Sequence, residues 1–397
     1  MNNIAEGMER SMCCGCGACI NVCPRDALEY GRDEFGFIVP EFRKDKCVDC
    51  GLCAKVCPAL VERKNPVPEA YAAMNRDTAV RMGSSSGGIF GALAGKVLAE
   101  GGIVYGCTMD ELFRVFHTSV EKAEALPKVM RSKYVQSDMG FIFRDVRDQL
   151  KAGRKVLFSG TPCQVSALNN FLAGMNAENL ETVDIVCHGV PSQAIFDDYL
   201  AVLGRKHGVI REYWFHAKKS VKNGMNSYFA FRGDRMRKPL IMNWTEDSYN
   251  FYYMKSCTYR EICYQCRYAD KRRVSDITLC DYWHWNEHHS EFDPEDTVSG
   301  VIVSTEKGRR MLEAVSGNLT LFPTALDDIA KHNGCLIQPS ARPARREKIL
   351  EIWKTRGYAA VDGDFVRRHR KEILKGKIRR VIPKTLYRKM AQALKRK

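Results

Sequence analysis

"KVLFSGTPCQVSALNNFL" (155–172) carries an apolar run into Ser-Gly-Thr-Pro, presents Cys163, and continues as a helix with Val165, Leu168 and Leu172 at helical spacing. "TVDIVCHGVPS" (182–192) follows as a second apolar strand ending at Cys187. A strand, a helix and a strand joined by short connections make a right-handed βαβ unit with parallel strands. Parallel strands bring their carboxyl ends to one edge, so Cys163 and Cys187 are expected to emerge together where open α/β sheets bind ligands.

Two further cysteines, Cys263 and Cys266, stand in CxxC spacing within "EICYQCRYADKRRVSDITLCDYW". With Cys163 and Cys187 they make four thiols, enough for one 4Fe-4S cluster, one zinc site, or a redox pair with two fillers. A Cys163–His188 nucleophile pair is geometrically open, but it leaves Cys187, Cys263 and Cys266 unexplained. Cys107, Cys257, Cys280 and Cys335 read as small buried residues.

The front of the chain is more explicit. "CCGCGACINVCP" (13–24) and "CVDCGLCAKVCP" (47–58) each contain C-x2-C-x2-C-x3-C-P, as Cys13, Cys16, Cys19, Cys23 and as Cys47, Cys50, Cys53, Cys57. In this bacterial ferredoxin run, three cysteines of one motif and the fourth of the other bind each 4Fe-4S cluster. The expected sets are Cys13, Cys16, Cys19 with Cys57, and Cys47, Cys50, Cys53 with Cys23. Gly15, Gly17 and Gly51 supply positive φ where the loops wrap the cluster. Zinc knuckles would not need two complete runs with both prolines. Cys14 is left over and reads as a bystander.

The chain has 397 residues, 45% of them hydrophobic, and 17 cysteines. That length accommodates several domains. No signal-peptide pattern opens it and no long apolar run interrupts it, so a cytoplasmic address is expected, and there so many thiols point to metal or redox chemistry. The net charge of +15 sits at one end: residues 366–397 hold fourteen Lys or Arg against one Glu. Leu374, Ile378, Val381, Leu386, Met390 and Leu394 recur through that segment, which Pro383 divides into two short helices. This is a basic amphipathic surface suited to an anionic membrane or an acidic partner protein, or a helix packed on the core. Nucleic acid is disfavoured because aromatics are scarce in the tail.

"ERKNPVPEAY" (62–71) reads as a linker, and "GSSSGGIFGALAGKVLAEGGIVYGC" as a Ser/Gly loop, a helix over about 88–99 and a strand around 103–105. A helix opening on serines can bind an anion. Ser86 replaces the first glycine of a dinucleotide fingerprint, so nicotinamide binding is not supported.

Together, the paired ferredoxin runs, "SSSGGIFGALAGKVLAEGGIVYG", "SKYVQS" (132–137), "VLFSGTPCQVSAL", "DIVCHGVPS" and "CYQCRYADKRRVSDITLCDYW" resemble the coenzyme F420 hydrogenase/dehydrogenase beta-subunit family over about 10–285. The resemblance implies an α/β flavoprotein core with a mixed or parallel sheet, preceded by a small α+β dicluster ferredoxin domain and followed by a basic helical tail. The boundaries it suggests are 1–62, 70–150 and 151–340 for the ferredoxin domain and the two parts of the core, and 341–397 for the tail. It implies two 4Fe-4S clusters, a third held by Cys163, Cys187, Cys263 and Cys266, and FAD lined by Ser84, Ser85, Ser86, Gly87, Gly88, Ser132, Lys133 and Tyr134. Lys133 would pair with pyrophosphate or with charge on the reduced flavin. The activity implied is an oxidoreductase working between a ferredoxin-type protein and an organic substrate; the alternative is an electron-transfer subunit with no substrate of its own. F420-using members read Cys-Met-Glu where this chain reads "CHGVPS", so the chain looks more like the branch associated with surface-polysaccharide genes, and Cys280 stands where relatives carry glycine. No catalytic acid or base is assigned.

Overall fold

Val156, Leu157 and Phe158 are fully buried because their strand lies inside a sheet covered on both faces. The computed structural model describes residues 4–62, 64–66, 68–218, 226–231, 239–293 and 296–381. A hairpin, β1 (Leu28–Arg32) and β2 (Ile38–Phe42), stands between the two cysteine runs. The main sheet is built from β3 (Glu69–Asn75), β4 (Ile103–Met109), β5 (Val115–Val120), β6 (Val156–Gly160) and β7 (Leu180–Ile185). A separate antiparallel sheet holds β8 (Ile210–Trp214), β9 (Asn226–Phe231) and β10 (Leu240–Asn243). The main sheet is completed by β11 (Ile277–Asp281), β12 (Ser299–Val303) and β13 (Leu319–Thr324).

Its eight strands run in the order β13-β3-β12-β11-β7-β6-β4-β5. The central four, β11, β7, β6 and β4, are parallel; the flanking pairings are antiparallel. Successive residues of β6 face opposite layers, so Leu157 packs with helix Ile89–Ala99 while Val156 and Phe158 pack with helices Ile142–Lys151 and Pro162–Phe171. The expected strand-helix-strand unit is present, with β6 and β7 parallel and Val156 opposite Leu180.

A further core forms where helices Gln193–His207, Ser248–Met254 and Arg346–Arg368 meet the three-stranded sheet. The segment assigned to a basic tail after 340 therefore begins inside this core, with Ile349, Val361 and Phe365 buried. Among the described residues a break falls at His369, between Arg346–Arg368 and Arg370–Val381. Leu374 is exposed; Pro383, Leu386, Met390 and Leu394 lie outside the described residues. Among the described residues no helix is long and apolar enough to cross a membrane.

The ferredoxin-like front docks on the core through polar contacts to its backbone. Arg144 donates to the Asn21 and Ile20 carbonyls (2.7 and 3.2 Å) and pairs with Asp26 (3.1 Å). Tyr268 Oη donates to the Pro58 carbonyl (2.9 Å), and Tyr30 Oη to that of Gly140 (2.6 Å).

Candidate functional site

The two ferredoxin runs fold as near copies. Gly17 and Gly51 adopt φ of 73° and 72°, and each opens a short helix, Ala18–Val22 or Leu52–Lys55. A left-handed glycine at that point lets the loop double back without a Cβ clash. Cys13, Cys16, Cys19 and Cys57 line one small cavity. Cys23, Cys47, Cys50 and Cys53 line a second. The fourth cysteine of each motif thus faces the opposite run, and thiol donors around a cavity of this kind fit a 4Fe-4S cluster. Cys50 is exposed and Val48 beside it is 59% exposed, so the second cavity lies at the surface. Cys19 of the one set and Cys53 of the other interact electrostatically.

At the carboxyl edge of the main sheet, Thr161 caps helix Pro162–Phe171. Its N–H donates to Gln164 Oε1 (2.9 Å), Pro162 opens the first turn, and Thr161 Oγ1 contacts Cys163 Sγ at 3.2 Å. The turn holds Cys163 at the end of β6, beside Cys187 at the end of β7. Cys263 sits in the turn Glu261–Gln265, and Cys266 ends it. Every pair among Cys163, Cys187, Cys263 and Cys266 interacts electrostatically. Burial pushes the Cys263 and Cys266 thiols up to about 12 and about 11, against the smaller opposing pull of Arg260 and Arg273. Four half-buried thiols in one group suit a metal centre.

The turn is locked from behind by a buried ion pair. Arg273 and Asp184 are 1% and 0% exposed and 3.4 Å apart, and Arg273 also donates to the Tyr268 carbonyl (2.7 Å). This ties the end of β7 to the loop after Cys266.

Two expectations change here. Cys14 is no bystander, because its thiol interacts with those of both Cys16 and Cys163. The Cys163–His188 dyad does not form. His188 interacts instead with the Cys335 thiol, which raises the imidazole; burial opposes ionisation of Cys335, but this interaction holds its thiol below the ordinary value.

The segments expected to line a flavin also meet, since the Ser132 N–H donates to Ser85 Oγ (2.9 Å) and the Gly87 N–H to Ser299 Oγ (2.8 Å). Helix Ile89–Ala99 opens at left-handed Gly88 with no side-chain cap, leaving amide donors at the loop. Tyr134 stacks on Tyr253 at 4.3 Å. Lys133 Nζ donates to the carbonyls of Cys107 (2.7 Å), Met130 (2.6 Å) and Lys128 (3.4 Å). Its charge remains at the site, but its three donors are engaged by backbone, so pairing with pyrophosphate through a free N–H is not available in this arrangement.

Three residues outside the sequence reading join this region. Lys218 Nζ donates to the Arg81 carbonyl (3.0 Å) and to that of Ser86. Burial pushes Lys218 and Lys133 down to about 8. His216 has a buried Nδ1 without a hydrogen-bond partner among the described residues, and Asp281 at the end of β11 acts on both His216 and Lys218. Buried ammonium groups held by carbonyls, an uncapped helix start and an orphaned imidazole nitrogen fit an anionic, phosphate-bearing cofactor. No local motif marks Lys218 or His216; they come from the loop that follows β8.

Of the histidines in "DYWHWNEHHSEF" (281–292), His289 is buried. His284 and Glu287 bring ligand atoms within 4.8 Å of those of His332. Lys331 also pairs with Glu287 at 3.2 Å, and that ammonium opposes a cation there.

Residues 153–325 match the family model for the C-terminal part of the beta subunit of coenzyme F420 hydrogenase/dehydrogenase. Residues 12–61 match the 4Fe-4S dicluster domain. No curated protein matches the chain. Among solved structures, a chain of the F420-reducing NiFe hydrogenase complex from Methanosarcina barkeri is 16% identical. The match covers 73% of this chain and 95% of that one with a TM-score of 0.46, a likeness too low to carry argument.

Proposed function

We propose that this chain, which belongs to the coenzyme F420 hydrogenase/dehydrogenase beta-subunit family and carries a dicluster ferredoxin domain ahead of it, is an iron-sulfur and flavin oxidoreductase. It would work between a one-electron carrier protein of the ferredoxin type and an organic substrate. The observation that carries this reading is an unbroken succession of thiol sets: Cys50 at the surface, Cys53 beside Cys19, and Cys14 against Cys163. When bound, 4Fe-4S clusters supply one-electron steps, and FAD joins those steps to two-electron hydride chemistry.

The chain's own residues would serve as follows. Cys23, Cys47, Cys50 and Cys53 hold the outer cluster, and Cys13, Cys16, Cys19 and Cys57 the inner one. Cys163, Cys187, Cys263 and Cys266 hold a third at the sheet edge. The loop Ser84–Gly88 and the segment Ser132–Tyr134 cradle the flavin, with Lys218 and Lys133 countering its phosphate charge and His216 Nδ1 offering an unpaired polar contact. "CHGVPS" in place of Cys-Met-Glu argues for a substrate other than F420, in surface-polysaccharide biosynthesis.

Anaerobically purified protein should carry about twelve iron atoms and one flavin per chain. Cys163→Ser should lower iron to about eight while leaving the ferredoxin-type signals. Absence of flavin, or about eight irons in the unmodified protein, would overturn the assignment.

A further inference from the structure

Among the described residues three arginines are deeply buried: Arg260 at 3%, Arg273 at 1% and Arg346 at 6% exposure. Guanidinium does not deprotonate in a protein, so each needs a counter-charge. Arg273 has Asp184 at 3.4 Å, and Arg346 has Glu261 at 3.2 Å. Arg260 has neutral acceptors instead: its Nε donates to the Cys13 carbonyl, and its Nη1 to Gln136 Oε1 at 3.2 Å, with the Phe37 ring 5.4 Å away. Among the described residues no carboxylate forms an ion pair with it.

Its place in the chain explains the difference. The guanidinium abuts the loop of the inner ferredoxin set, where a Cβ on Gly15 would lie 3.0 Å from Arg260 Nη1 and 2.3 Å from Gln136 Nε2. Gln136 Nε2 donates to the Cys14 carbonyl at 3.0 Å, so both side chains pin the loop that presents Cys14 to Cys163. The Arg260 carbonyl accepts from the Cys263 N–H (3.0 Å), opening the turn that carries Cys263 and Cys266. Arg260 also acts electrostatically on the Cys263 thiol. One unpaired positive charge therefore stands between two thiol sets, each of which would be net negative when it holds a cluster.

We propose that Arg260 is the shared counter-ion of the inner ferredoxin cluster and the sheet-edge cluster, and that its charge raises the reduction potentials of both. The proposal rests on the cluster assignment above. Reduction adds negative charge, so a fixed cation nearby favours the reduced form, and net charge is one of the levers that set cluster potential. The outer set, at the surface and away from Arg260, lies outside this effect.

The test is an EPR-monitored redox titration of the anaerobic full-length protein, with Cys163→Ser and Cys50→Ser assigning the sheet-edge and outer signals. The unmodified protein tests the cluster assignment, and the Arg260 variants test this proposal. Arg260→Gln is expected to move the inner and sheet-edge potentials downward and leave the outer one in place, while Arg260→Lys stays near the parent. Gln136→Glu puts a carboxylate on the same guanidinium, at the cost of the Nε2 donor to the Cys14 carbonyl, and should move the same two potentials downward. If Arg260→Gln loses iron from those two sets and Arg260→Lys keeps it, the charge requirement stands. Unchanged potentials in fully loaded Arg260→Gln, or equal shifts or losses in Arg260→Lys, would overturn the proposal.

Discussion

The thiols of Cys14 and Cys163 interact with one another, although 149 positions separate them in the chain. Neither residue has this neighbour by local geometry; the contact exists because the ferredoxin loop docks on the end of β6. Two thiols this close exchange readily with an oxidant once no metal holds them apart. Iron-depleted protein treated with diamide should therefore yield a Cys14–Cys163 disulfide in peptide maps and then fail to rebuild the sheet-edge cluster until reduced. Cys14→Ala should rebuild fully after the same treatment. A loss of about four irons in untreated Cys14→Ala would instead make Cys14 a ligand.

Arg273 and Asp184 form a buried pair behind the sheet-edge cysteines. Removing one partner strands a charge, and Arg273→Ala is expected to lower stability by about 3–5 kcal/mol in denaturant unfolding. Arg273→Met combined with Asp184→Leu should be markedly milder, because neither charge is then buried alone.

Lys133 and Lys218 give a pH dependence. Burial holds both near 8, below the ordinary value of 10.5. Below pH about 8 the folded chain keeps both charges and bears their full burial cost. Between about 8 and about 10.5 the folded form has released protons that the unfolded chain still binds, so these groups make stability rise with pH in that window. Affinity for an anionic cofactor should change in the opposite sense. FAD binding followed by flavin fluorescence should weaken as pH rises through about 8, and Lys218→Met should flatten that dependence.

Gly17 offers a contrast with Gly51. Both hold positive φ, but a Cβ on Gly17 would lie 2.0 Å from Tyr30 Oη, which bonds to the Gly140 carbonyl at 2.6 Å. Gly17→Ala should add a steric clash to the roughly 1–2 kcal/mol cost of a left-handed alanine and loosen the ferredoxin domain from the core. Iron content and visible absorbance should fall further in Gly17→Ala than in Gly51→Ala.

The strand-helix-strand unit around Cys163 was legible because its signals are local. An interior parallel strand reads as an unbroken apolar run, and Thr161, Pro162 and Gln164 announce the helix start. The Ser84–Gly88 loop was legible for the same reason, but its partners were not. Lys218 and His216 reach it only because β8 and the loop after it fold over the sheet edge. The segment 346–368 read as the start of a basic tail because its many charges mask a buried stripe, with Ile349, Val361 and Phe365 all in the core.

By itself the sequence determined two interleaved thiol runs, a βαβ unit and a CxxC pair, because each depends on spacings of a few residues along one chain. Only the tertiary structure decided that the inner run meets the sheet edge through Cys14 and Cys163. The same holds for Arg260, which bonds the Cys13 carbonyl across 247 positions and lies between the two thiol sets without a carboxylate partner among the described residues. The physical reason is that a buried charge and a thiol contact are set by which surfaces dock, and docking follows from the summed packing of distant elements, which no local pattern encodes.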